Sequence, residues 1–390
     1  MPRHSQLAYN ILPVPVTVRS FAKINLGLCI GDLRVDGFHE LRTVYQTIAL
    51  HDLIRLRMTR GTGIEIRCTD PRVPKDQSNT CYRIVERAMD ALKVRGRVLI
   101  DIEKRLPVQG GLGGASGNAV AALVALELVL RKKLSGPEKL EIAAEVGSDL
   151  PLFLIGGTVL GVGRGEEVYP LPDLPQVHCV IALPEISVST PQAFADWDLG
   201  LCGAGTLARE RRGAKPLSEK TAAERSSAWT LRLRSGQAHR SARPHTGKNL
   251  HTGFNSGGEL TGFDPSDRMD KFSHKVSSWL SSASGVPGGK RRVRAETPLL
   301  DLVRTGIEND FEKVVFPKYP ELREAKSVLE AAGAVYASLS GSGSAIYGLF
   351  ESKRASQTGA AALKKIDIPA VLTTTLTRPQ FWKKFLVSGF

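Results

Sequence analysis

The stretch Pro107 to Ala122, PVQGGLGGASGNAVAA, constrains this 390-residue chain more than any other, because four of the five residues from 110 to 114 are glycine. No packed helix or strand interior accommodates glycine at that density, since each one costs backbone entropy and offers nothing to pack. Upstream, Val98, Ile100 and Ile102 alternate as in a half-buried strand; downstream, Ala119, Ala122, Leu123, Leu126 and Leu130 recur at helical spacing. Strand, glycine loop and helix start in that order make a phosphate cradle. Backbone N–H groups and the positive end of the helix dipole converge there, and only glycine lets the backbone come so close. An ordinary flexible connection between a strand and a helix has the same local sequence, and the loop by itself does not separate the two.

The length suffices for two domains with their own cores, and 42% hydrophobic with 24% charged residues is the balance of a globular protein. No apolar run reaches the roughly 18 residues of a membrane span, and the first residues lack a signal core, so a cytoplasmic protein that does not enter a membrane is expected. Cys29, Cys68, Cys81, Cys179 and Cys202 form no CxxC pair. Neither a disulfide framework nor a metal cage is therefore expected. The net charge of +14 is concentrated between residues 201 and 296, which hold 18 Lys or Arg against 8 Asp or Glu. That segment lacks the interleaved aromatics of single-strand binders, so nucleic acid is not the expected partner. It also shows no sustained hydrophobic period apart from a short patch near Phe272 to Leu280, and is expected to be a poorly ordered insertion.

Polar residues in apolar surroundings mark the candidate site. Lys23 and Asn25 interrupt the apolar run Val16 to Ile30, read as a strand pair or one long bent strand. A lone lysine in such a run more often snorkels from an edge. Asp36-Gly37-Phe38-His39 is a turn, followed by strands at Thr43 to Leu50 and Leu53 to Met58. Helices are expected over Ser78 to Lys93, Asn118 to Lys133 and Glu138 to Glu145. Asp149, before Leu150-Pro151, sits where a helix N-cap is favoured, which does not exclude a catalytic role. Gly156 to Glu167 reads as a strand with a glycine-rich bend. Val177 to Leu183 opens the second half, where Asn309 to Val315 is expected to be helical. Ser340-Gly341-Ser342-Gly343-Ser344 is a hairpin turn or a second loop closing over the same phosphates. The tail Pro379 to Phe390 shows no pattern.

Taken together, FAKINLGLCI (21–30), DGFHEL (36–41), KRLPVQGGLGGASGNA (104–119), GSDLPLFLIGG (147–157), STPQAFAD (189–196), END (308–310) and SLSGSGSAIYGLF (338–350) resemble the GHMP small-molecule kinases, in the family's order and over the chain except about 201–296. The resemblance implies a two-domain α+β fold: a ribosomal protein S5-like N-terminal domain over 1–172 and an α+β C-terminal domain over 173–390, with the site in the cleft. It implies ATP as phosphate donor with Mg²⁺, and a monomer or homodimer acting on small molecules. The AKINL and DGFHEL elements point to the branch that phosphorylates the 2-hydroxyl of a cytidine-diphospho-methylerythritol for isoprenoid synthesis, rather than to mevalonate, homoserine or galactose kinases.

By the same resemblance Asp149 matches the catalytic base and Lys23 its charged partner. Pro107, Gly110, Gly111, Leu112, Gly113, Gly114, Ser116, Asn118, Gly341 and Gly343 match the ATP site. Asn25 matches a contact near the accepting hydroxyl, Phe38 and Phe194 match aromatics that sandwich the cytosine, and His39 matches a hydrogen-bonding partner of its edge. The family's loop reads GLGGGSSNAA; here Ala115 replaces a glycine, Gly117 a serine and Val120 an alanine.

Overall fold

The computed structural model describes residues 15–108, 110–173, 175–203, 265–283, 301–303 and 305–388. Two strands dominate it, β1 (Val16–Leu33) and β2 (His39–Thr59), paired antiparallel across the turn that contains Gly37 and Phe38. β2 joins into one element the two strands expected at 43–50 and 53–58. Both are several times the ordinary strand length, and β1 is buried almost throughout.

A strand that long cannot keep one face on one core without re-phasing, and a register break supplies the adjustment. Phe21 faces His51, but Ala22 faces Ile48. Before this break Val16, Val18 and Phe21 enter one apolar core; beyond it Ala22, Ile24, Leu26 and Cys29 enter a second. Lys23 and Asn25 lie just past the break, where a bulge redirects side chains.

The larger sheet has the order β11-β1-β2-β4-β3, with β3 (Gly63–Cys68), β4 (Arg97–Glu103) and β11 (Leu386–Ser388); β5 (Thr158–Val162) adds to β2, and β6 (Glu167–Pro170) to β5. Helices α1 (Thr80–Ala91), α2 (Gly114–Leu130), α3 (Gly136–Val146) and α4 (Leu150–Ile155) accompany it. Asn79 caps α1 through its side chain, and Ser135 and Glu138 form a capping box on α3. α2 starts at Gly114, four residues earlier than its apolar spacing suggests, because Gly113 takes the N-cap position with a left-handed backbone.

The smaller sheet is antiparallel with the order β10-β7-β9-β8, built from β7 (His178–Ala182), β8 (Tyr336–Leu339), β9 (Ile346–Phe350) and β10 (Ala370–Thr374). Helices α5 (Thr190–Gly203), α6 (Pro265–Ala283), α7 (Glu312–Lys318), α8 (Pro320–Ala331) and α9 (Lys353–Lys364) belong to this half of the sequence.

Three sequence expectations change. The insertion expected over 201–296 contains α6, whose Met269, Phe272, Val276 and Trp279 are buried in the second core against β1 and Ile307. Their spacing of three and four residues is helical, but the polar flanks diluted it; the rest of the insertion, 204–264 and 284–296, lies outside the described residues. The helix expected from Asn309 begins only at Glu312, because Leu28 exchanges backbone hydrogen bonds with Glu308 and Asp310. The tail, which showed no pattern, forms α10 (Arg378–Phe385) and β11, and returns to β1. Thr377 and Gln380 make a capping box there, the signal that could have located α10.

Candidate active site

A buried carboxylate sets how the glycine loop leaves the end of β4. Asp52, fully buried on β2, takes the Lys104 ammonium on Oδ2 at 2.6 Å, while Oδ1 accepts the backbone N–H groups of Arg105 at 2.7 Å and Leu106 at 2.8 Å. An aspartate with both oxygens engaged this way fixes the chain's entry into Pro107 to Gly114. Gly111 and Gly113 both have left-handed backbones, with φ of 72° and 69°. Gly111 is pressed against the carbonyl of Ser340, so no side chain fits there. No side chain caps α2, and the first-turn N–H groups face the loop without the usual Ser, Thr or Asp oxygen.

The SGSGS turn joins β8 to β9 as a hairpin and also meets the first loop. Ser340 Oγ donates to the Gly111 carbonyl at 3.0 Å, and Ala345 N–H donates to the Gly110 carbonyl at 3.2 Å. Asn309 anchors the turn from below, its amide donating to the carbonyls of Leu339 and Gly341 at 2.8 Å each. The hairpin alternative for 340–344 is thus realised, and the hairpin turn packs against the first glycine loop.

Lys23 is only 3% exposed, so it does not snorkel. Its stem passes beside Gly113, its backbone N–H bonds the Leu112 carbonyl at 3.0 Å, and its ammonium donates to Asn25 Oδ1 at 2.7 Å. Asn25 donates to Thr43 Oγ1 at 2.8 Å, and Thr43 to the Gly27 carbonyl at 2.7 Å, which fixes which end of the amide faces the ammonium. Asp149 occupies the N-cap position of α4 but makes no capping hydrogen bond. Its Oδ2 lies 3.4 Å from Lys23 Nζ, and its Oδ1 accepts from the Tyr45 hydroxyl at 3.0 Å. The capping alternative therefore fails: the carboxylate faces a cation and a phenol, with a third of its side chain open to solvent.

At the other end of β1, His39 and Phe194 stack with parallel rings 5.3 Å apart, and Phe311 packs edge-on to Phe194 at 4.9 Å. His39 directs Nδ1 to the Gly31 carbonyl at 3.1 Å and Nε2 to Asp198 at 3.2 Å. Phe38 is half exposed, with the Arg164 guanidinium 4.9 Å above its ring. The structure thus pairs Phe194 with His39 rather than with Phe38.

Gly117, where the family's loop has serine, faces away from solvent into β1: a Cβ there would come within 2.8 Å of Ser20 Oγ and 2.9 Å of the Phe21 carbonyl. Ser116 is partly exposed on the first turn of α2, whereas Asn118 is buried. Sequence reasoning missed Tyr45, Thr43, Asp52 and Asn309. For the first three the available signal was a polar atom inside an otherwise buried strand.

This geometry, a glycine cradle against a Lys–Asp pair, can be set beside known proteins. The family described as GHMP kinases N terminal domain matches residues 79–157, and GHMP kinases C terminal matches 296–367. The 4-diphosphocytidyl-2-C-methyl-D-erythritol kinase of Solibacter usitatus (strain Ellin6076) is 33% identical over 338 residues, 87% of this chain and 82% of that protein. The chain belongs to the 4-diphosphocytidyl-2-C-methyl-D-erythritol kinase family, within the GHMP kinases. The kinase of that name from Synechococcus elongatus (strain ATCC 33912 / PCC 7942 / FACHB-805) is 31% identical over 93% of this chain and 96% of its own length. A crystal structure of a 4-(cytidine 5'-diphospho)-2C-methyl-D-erythritol kinase superposes with a TM-score of 0.59 at 24% identity, covering 92% of this chain and 98% of the other, and a homoserine kinase from Cytophaga hutchinsonii ATCC 33406 with 0.58 at 19%. Those two likenesses establish the fold, which both kinds of kinase share. Among the described residues no helix is long and apolar enough to cross a membrane.

Proposed function

We infer that this chain transfers the γ-phosphoryl group of ATP to the 2-hydroxyl of 4-diphosphocytidyl-2-C-methyl-D-erythritol, a step of the non-mevalonate isoprenoid route. The observation that carries the chemistry is the Lys23–Asp149 pair, 3.4 Å apart at the edge of the glycine loop. The choice of substrate rests on the family to which the chain belongs.

In this reading the loop from Gly110 to Ser116, with Pro107, Asn118, Gly341 and Gly343 around it, holds the triphosphate through backbone N–H groups. Asp149 accepts the proton of the 2-hydroxyl as the new O–P bond forms and the bond from γ-phosphorus to the β–γ bridging oxygen breaks, leaving ADP. Lys23, beside the carboxylate, offsets negative charge on the transferring group. Asn25, held by Thr43, presents its amide beside the acceptor, while Phe38, His39 and Phe194 receive the cytosine. Mg²⁺ takes oxygen donors, and the partly exposed Ser116 hydroxyl on the first turn of α2 is the group of this chain that would help hold it beside the phosphates. When bound, the ion neutralises charge on the phosphate oxygens.

Phosphate transfer to the cytidyl substrate, mevalonate and homoserine under matched conditions tests the substrate; turnover of mevalonate alone would refute it. Asp149→Asn is expected to lower kcat by about 10²- to 10⁴-fold, with KM for ATP changed less than about threefold. An undiminished kcat would remove Asp149 from the proton transfer.

A further inference from the structure

We propose that Tyr45 is a positioning residue for phosphoryl transfer: its hydroxyl holds Oδ1 of Asp149, so that Oδ2, beside Lys23, is the oxygen that receives the substrate's proton. The proposal rests on Asp149 as the base. The two carboxylate oxygens have different neighbours, the phenol at 3.0 Å on one and the ammonium at 3.4 Å on the other. With Oδ1 tied, the carboxylate cannot rotate about its Cβ–Cγ bond, and its free lone pairs stay on the Oδ2 side.

The surroundings are shaped for a tyrosine rather than for any apolar residue. A Cβ at Gly161 would come 2.5 Å from the ring at Cε2, and a Cβ at Gly165 would come 2.5 Å from the hydroxyl oxygen itself. A phenylalanine would need the first of these spaces but not the second. Both glycines belong to the glycine-rich stretch 156–167, to which the nucleotide loop and the catalytic pair assign nothing. The Tyr45 ring is 2% exposed and lies 5.7 Å from Lys23 Nζ, so the phenol, the ammonium and the carboxylate form one cluster that opens to solvent only at the carboxylate, with Glu166 as the next acidic group. Burial, and then the neighbouring Asp149 charge, push the phenol well above its ordinary range. Tyr45 therefore keeps its proton and only donates. During transfer the proton of the 2-hydroxyl passes to Oδ2, and the hydrogen bond at Oδ1 persists throughout.

The test is a double-mutant cycle in the full-length protein with ATP and the cytidyl substrate. Tyr45→Phe is expected to lower kcat about 5- to 50-fold, with both KM values within about twofold and the melting temperature unchanged. In an Asp149→Asn background the same substitution is expected to cost nothing further, because the phenol acts through the carboxylate. An equal loss in both backgrounds, or an unchanged kcat, overturns the proposal. An Asp149→Asn enzyme with full activity overturns instead the assignment of the base. Should Tyr45→Phe not fold, Tyr45→Met, which fills the site with a flexible apolar side chain and no hydroxyl, gives an independent cycle. Loss only where Asp149 is present supports the proposal, and equal loss in both backgrounds overturns it.

Discussion

At residue scale, Gly117 shows how a departure from a family pattern can be compensated nearby. In the family's loop a serine stands here, and its loss could be read as a missing phosphate contact. The position instead faces β1, where Ser20 Oγ occupies the space that a side chain at 117 would take. Restoring serine alone is therefore expected to destabilise the protein by about 1 to 3 kcal/mol through overpacking, since the Phe21 carbonyl on the same side belongs to a strand that cannot yield. Gly117→Ser with Ser20→Ala should recover part of that loss, and denaturant midpoints of the single and double variants measure it. Additive losses would mean that the two positions do not share the space. Lys23 was legible as a residue to question because it interrupts an apolar run, and Asp149 because it stands before Leu150-Pro151, but their catalytic roles came from the resemblance. Their pairing came from the motif resemblance and not from periodicity, because they stand 126 positions apart and only the folded chain brings them together.

At the scale of elements, the register break in β1 and β2 matters most, and the sequence carried no direct sign of it. Strand spacing gives the alternation of a segment but not the two residues of β2 skipped between Ile48 and His51. His51 sits at the break. It lies edge-on to Phe21 with centroids 5.4 Å apart, and its Nδ1 donates to the Ala49 carbonyl at 2.7 Å in the neutral tautomer. Burial is the largest influence on this ring and lowers its pKa from the ordinary 6.5. The unfolded chain then binds a proton that the folded one refuses, so stability is fully present above about pH 6.5 and falls as the pH drops below it, levelling only beneath the depressed folded value. Melting temperatures between pH 7.5 and 5.5 are expected to decline, and the decline should be shallower in His51→Phe. A slope that is the same with phenylalanine would exclude His51 as its source.

On the scale of the whole molecule, the family and its two sheets could be read from motifs in order, because glycine loops and strand alternation are local properties. The role of residues 265–283 could not. Four apolar side chains set in a basic, Ser-rich segment look like an unstructured loop until β1 is known to lack cover on that side. Phe272 presses on Gly27, where a Cβ would come 3.0 Å from its ring. Phe272→Ala is expected to cost about 3 to 5 kcal/mol, a marked drop in melting temperature, although the residue lies far in sequence from either glycine loop. A melting temperature within a degree or so of the parent would show that α6 contributes little to the core.

The division of β1 between two cores also bears on how the enzyme moves. Lys23 is held by its backbone N–H to Leu112 within a strand that both sheets need, so exposing that amide requires most of the fold to open at once. Its hydrogen exchange should belong to the slowest class in the protein, with a protection close to that of global unfolding. A kinase must nevertheless admit a nucleotide and a second substrate on each turnover. With the cation fixed in the slowest-exchanging strand, accommodation falls to the segments around it: the turn carrying Phe38 and the helix carrying Phe194.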